Sequence, residues 1–398
     1  MKLKMRKNGV EDFLFWLAYL PWVFAWTMTS TYYKDIIHPY AIIRYWQVFG
    51  CIMLCIRLLL KKRIKSTRVI VAIAVITVAS LVSVGNSNAS FIFYSLVLIV
   101  LGVDIDLISL VKSTMWIQVF SCALTVGSSM IGIIANEVSN SYAGGFYRER
   151  FSLGYTYTTF FPNYLLSIMI EFYYLKYRKK WKFIDYCLFS LLNIFSYEYT
   201  KTRVSFVMIW LIMILAFFKQ FKRKKNVIGR VKGFVYRWSF PICAFASLGL
   251  TVFYNASNKW MKFLNDVLSQ RLRFGQNGLL QWGVSLFGTS VSWDIDASSY
   301  NYIDSSYVNI LVCYGVIVFF IVVIGFTLSH RAVAKKGNEE LCVCLMIWAF
   351  RGIIDPQLFL IWFNPFMFII GKALLANFRG AGVKYVKSDM FLQQSRIA

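Results

Sequence analysis

Apolar runs bounded by short charged clusters recur along the whole chain, and their length carries the first signal. They fall near 13–30, 41–60, 69–84, 91–103, 113–134, 159–175, 183–199, 204–218, 238–254, 306–328, 341–354 and 357–375. A helix needs roughly 20 mostly apolar residues to cross the hydrocarbon core of a bilayer, so the pattern predicts about twelve transmembrane helices. No internal repeat, low-complexity tract or matched pair of interrupted helices marks the series. The expected fold class is an all-α polytopic integral membrane protein, one multi-spanning domain over 1–398.

Composition agrees. Hydrophobic residues make up 58% of the 398 and charged residues 15%, with a mean hydropathy of +0.58, which excludes an ordinary water-soluble domain. A net charge of +25 on a soluble protein would point to nucleic acid, but here Lys and Arg cluster between apolar runs, so no nucleic-acid partner is expected. The clusters Lys61 to Arg68, Lys176 to Lys182, Lys219 to Lys225 and Arg331 to Lys336 fall on alternate connections, roughly three to one in favour of one side. That bias places both termini in the cytoplasm. The run after Lys7 is expected to be a retained first helix, since no small-residue cleavage site follows it. The eight cysteines lie mostly in apolar stretches, and Cys342 with Cys344 is too isolated to make a metal site.

This topology leaves two outer segments longer than a connection requires, 135–158 and 255–305, the second a large extracytoplasmic loop. Outer loops are depleted of cations, so the arginines that remain there are informative. Arg148 and Arg150 lie in the first loop, Arg203 at an outer corner, and Arg271 and Arg273 after a plausible amphipathic helix from Trp260 to Leu272. A guanidinium binds phosphate oxygens bidentately, so the set can converge on one anion, such as a lipid-linked pyrophosphate. Single arginines of this kind also pair with loop carboxylates or lipid phosphates. Asp304 precedes a predicted helix start near Ser306, where it is expected to serve as N-cap.

Four pieces of sequence resemble the Wzy-type O-antigen and capsule polymerases, and more distantly the O-antigen ligases. They are Arg150, Ser152, Leu153 and Gly154 leading to Pro162 and Asn163; Thr202 with Arg203; Arg271 and Leu272 upstream of Leu286, Phe287 and Gly288; and Asp304 to Tyr307 leading to Tyr314 and Gly315. Thr202 stands where that family commonly has Ser, and Ser305 where it commonly has Asn. The resemblance implies a GT-C-like membrane glycosyltransferase in the bacterial cytoplasmic membrane. Its substrate would be an undecaprenyl-pyrophosphate-linked oligosaccharide, polymerised on the outer face with inversion and without a metal or other cofactor. It also implies partners: membrane lipids, and the chain-length regulator and flippase of the same pathway.

Breaking a sugar–phosphate bond builds negative charge on the leaving pyrophosphate, so cations are needed there and a base on the attacking hydroxyl. The expected catalytic residues are Arg150, Arg203 and Arg271 for the pyrophosphate and Asp304 for the hydroxyl. Arg148, Arg273, Tyr307 and His38 are expected to bind substrate. His330 is expected in a loop beside a basic cluster, Glu171 and Glu198 near helix ends, and Arg351 paired with Asp355. Tyr147, Trp282 and Trp293 suit membrane anchoring, with sugar stacking as a second role. The rival functions are an O-antigen ligase, a flippase for lipid-linked sugars, or a scaffold without enzymatic activity.

Overall fold

The computed structural model describes residues 9–61, 78, 81–82, 85, 90–143, 146–176, 180–221, 228–293 and 300–378. The helices are α1 (Gly9–Thr29), α2 (Lys34–Ile37), α3 (Pro39–Lys61), α4 (Ser90–Leu101), α5 (Leu107–Met130), α6 (Phe160–Leu175), α7 (Phe183–Thr200), α8 (Arg203–Gln220), α9 (Arg230–Val252), α10 (Lys259–Val267), α11 (Arg271–Trp282), α12 (Ser306–Lys335), α13 (Glu339–Ile354) and α14 (Phe368–Phe378). Among the described residues α3, α5, α8 and α12 are long and apolar enough to cross a membrane. The others are shorter or more polar, and the run near 69–84 falls largely outside the described residues, as do both termini.

Pro21 and Pro241 lie inside α1 and α9, where neighbouring helices can satisfy the freed backbone groups. The core is aromatic. Trp26 stacks on Trp362 at 4.4 Å, with Trp22 and Phe91 packed edge-on to the same indole.

Three expectations are corrected, and one is given detail. The run at 357–375 is not one helix: 3-10 turns at Pro356–Phe359 and Pro365–Met367 flank irregular backbone, and α14 starts only at Phe368. Each proline lacks an N–H and pushes its predecessor, Asp355 or Asn364, out of the helical region. This irregular stretch is buried, and side chains satisfy its carbonyls: Gln118 Nε2 donates to Trp362 O at 2.8 Å and Asn364 Nδ2 to Leu358 O at 2.8 Å. The expected long loop at 135–158 carries two antiparallel strands, β1 (Val138–Ala143) against β2 (Phe146–Phe151), with Ser139 opposite Arg150, an addition to the expected loop, which still stands. His330 is buried within α12, stacked on Tyr236 and bonded through Nδ1 to Ser239 Oγ at 3.0 Å. Glu171 does not reach an interface; it is fully buried and accepts from Gln118 at 3.1 Å.

Candidate functional site

The four pieces of sequence meet at one end of the bundle. Gly154 takes a left-handed φ of +85° that packs the chain after β2 against Thr125 O, and its carbonyl accepts from Tyr32 N at 2.9 Å. Gly288 and Gly315, with φ of +89° and +88°, pack backbone against backbone. Thr289 N donates to Val312 O at 3.2 Å and Val316 N to Ser285 O at 3.0 Å, so the extended chain after α11 is strapped to the start of α12. A π turn at Ile310–Tyr314 lies at that strap, and such turns occur frequently at functional sites.

Arg150 reaches from β2 to the corner between α7 and α8, donating from Nε to Thr200 O at 2.9 Å and from Nη2 to Thr202 Oγ1 at 3.4 Å. Burial pushes its guanidinium below the ordinary arginine range; Tyr157 opposes the shift, and the positive charges of Arg148 and Arg271 add to it. Arg150 therefore lies within the field of both other cations. Arg148, two residues before Arg150, shares its strand face. Arg203 opens α8 with an exposed side chain beside the corner that Arg150 holds.

Arg271, at the first position of α11, faces two carboxylates. Its Nε is 3.9 Å from Asp304 Oδ2 and its Nη2 3.8 Å from Asp355 Oδ1, while Nη1 donates to Leu268 O at 3.2 Å. Its Nε makes no hydrogen bond among the described residues. A loosely paired guanidinium of this kind retains the capacity to grip an incoming anion.

Asp304 does not cap α12: Ser305 is the N-cap residue, its hydroxyl shared with Ser247 at 2.7 Å. The Asp304 carboxyl stays in the site beside Arg271 and Tyr300. Burial pushes it up to about 6; Arg271 pulls the other way, the Asp355 charge raises it further, and the Tyr300 hydroxyl lowers it. Tyr300 itself is pushed well up by burial and by the Asp304 charge.

Behind Asp355 stands a residue whose importance the sequence reading undervalued. Arg351, fully buried in α13, lies 3.5 Å from Asp355 Oδ2 and donates to Ser167 Oγ at 2.9 Å, Asn163 O at 3.1 Å and Gln357 Oε1. Asn163 also accepts from Ser205 at 2.8 Å, which ties α6 to α8. The signal was present: an arginine inside an apolar helix implies a specific partner network.

Three expected site residues are not brought together with the others. Tyr307 is fully buried and donates to Ala349 O at 2.9 Å, so it packs α12 on α13 and presents no surface to the site. Arg273 is two positions from Arg271 on the same helix, hence on nearly the opposite face; it is exposed, with its guanidinium over Phe274 at 5.0 Å. His38 is exposed at the end of α2 in a left-handed turn, φ +50°, and its carbonyl accepts from Ala41 N. Trp293 packs on both Trp282 and Tyr302, and the two indoles lie against the small core of Ile303, Val308 and Val312.

No protein-family model matches the chain, and no curated protein or solved structure matches it significantly.

Proposed function

We propose that this chain is a polysaccharide polymerase of the bacterial cytoplasmic membrane. It joins undecaprenyl-pyrophosphate-linked repeat units at an outward-facing site formed by Arg150, Arg203, Arg271 and Asp304, with Arg148 beside them, both termini cytoplasmic and about twelve crossings. The observation that carries this reading is the placement of Arg150 on β2 within the field of Arg148 and of Arg271 on α11, with Arg271 beside the Asp304 carboxyl, which burial pushes up to about 6.

The chemistry follows from charge. As the bond between the anomeric carbon and the pyrophosphate oxygen breaks, negative charge grows on the leaving group, and Arg150, Arg203 and Arg271 stabilise it, with Arg148 adding to their field. The attacking hydroxyl of the acceptor sugar forms the new C–O bond on the opposite face and passes its proton to Asp304. A carboxyl held at about 6 is mostly ionised at neutral pH, yet basic enough to accept that proton. Arginine supplies the cationic charge from the chain's own side chains.

The test is genetic and chemical. In a strain lacking the chain, surface glycan should collapse to single repeat units while lipid-linked units still reach the outer leaflet, and the ladder should return with the wild-type protein. Units retained in the inner leaflet would replace this reading with a flippase. Full-length free polymer that fails only to reach its final acceptor would replace it with a ligase.

A further inference from the structure

We propose that α10 lies in the plane of the membrane, its apolar face seated in the lipid below the headgroups and Lys259 and Lys262 set against anionic headgroups. At about 100° per residue, Trp260, Phe263, Leu264 and Val267 fall within a stripe about 100° wide. All four are exposed, Trp260 to 75%, Phe263 to 58% and Val267 to 59%. Asn265, the buried residue of this helix, points about 150° away from the middle of that stripe. It holds α10 to the protein by accepting from Arg273 N at 3.1 Å and donating to Gln270 Oε1 at 2.7 Å. The apolar face is therefore turned away from the chain's own body.

Two observations assign that face to lipid. First, the chain that leads into it is apolar and exposed as well: Val252 and Phe253, at the end of α9 just before α10, are both exposed. The membrane-length α12 begins at this level, joined to α9 through Ser305 and Ser247. Second, the flank between the apolar stripe and the buried side carries exposed Lys259 and Lys262 with one acid, Asp266. That pattern suits a helix half sunk among anionic headgroups. The helix end is also coupled to the site, since Arg271 Nη1 donates to Leu268 O. The depth of α10 in the bilayer thus sets the height of Arg271 above it, a consequence that rests on the polymerase reading only for its catalytic meaning.

The test is a spin-label scan of the full chain in vesicles of phosphatidylglycerol and phosphatidylethanolamine, with the eight native cysteines replaced and thermal unfolding checked for each variant. Trp260→Cys, Phe263→Cys and Val267→Cys are compared with Lys259→Cys, Lys262→Cys and Asp266→Cys. The ratio of collision with oxygen to collision with a water-soluble nickel chelate should be at least about threefold higher at the first three positions. Equal nickel access at all six sites would overturn the proposal. Shielding of the first three from both reagents would also overturn it, showing the stripe covered by protein. Neither outcome depends on glycan synthesis, so this can fail while the proposed function stands.

Discussion

Asp355 Oδ2 lies 3.5 Å from the Nε of Arg351, one helical turn before it, and that contact fixes the carboxylate that faces Arg271. A buried guanidinium held by three hydrogen-bond partners thereby positions a more loosely held one: Asn163, Ser167 and Gln357 hold Arg351, Arg351 pairs with Asp355, and Asp355 with Asp304 flanks Arg271.

Removing one partner from this buried pair leaves the other charged and uncompensated. Arg351→Ala is expected to cost about 3–5 kcal/mol, read as a fall in the thermal unfolding midpoint of the purified protein in detergent. Arg351→Lys keeps the charge but not the fork that reaches Ser167, Asn163 and Gln357, and should fall in between. A variant Arg351→Ala as stable as the parent would show that the network contributes nothing.

Asp304 predicts opposite pH trends for stability and activity. Its carboxyl titrates at about 6 when folded and near ~3.9 when unfolded, so the folded chain binds a proton that the unfolded chain has released across that window. The stability from this group is fully present below the window and is lost as pH rises through about 6. Polymerisation needs the ionised form and should rise across the same range. Asp304→Asn should abolish activity and flatten this part of the stability profile. An activity that is level from pH 5 to about 7 would remove Asp304 as the base.

The glycine strap gives a test independent of chemistry. A Cβ on Gly288 would meet Cys313 O, and one on Gly315 would meet Gly288 N, both at a φ that L residues rarely adopt. Gly288→Ala or Gly315→Ala should therefore lower stability by more than about 1 kcal/mol. Gly249→Ala, in α9 with open space around its Cβ position, should be neutral or slightly stabilising. Equal thermal midpoints for all three would contradict the close packing of the strap.

Much of the helical order was legible because apolar runs of membrane length leave the chain few other options, and the described ends of α6, α7 and α8 fall within a residue or two of those expected. The arginine pattern was legible in part. Depletion of cations points to Arg148, Arg150, Arg203, Arg271 and Arg273 alike, but pattern alone does not say which face of α11 meets the bundle, so Arg273 stays in the set as a substrate-binding residue. Tyr307 was misread because adjacency to Asp304 in sequence says nothing about direction at a helix start. The break at Pro356 falls between two expected helices, whereas the one at Pro365 lies inside an apolar run whose composition hides its X-Pro step. The approach of Arg271 to Asp355 crosses a long stretch of chain and depends on packing that no local signal carries.

The most direct test compares two arginines two positions apart. In vesicles containing the purified chain and its lipid-linked repeat unit, Arg271→Ala should reduce polymer formation on the order of 10²-fold. Arg273→Ala, on the opposite face of α11, should leave it near the parental rate. Normal polymer from Arg271→Ala, or an equal loss from Arg273→Ala, would contradict the placement of the site.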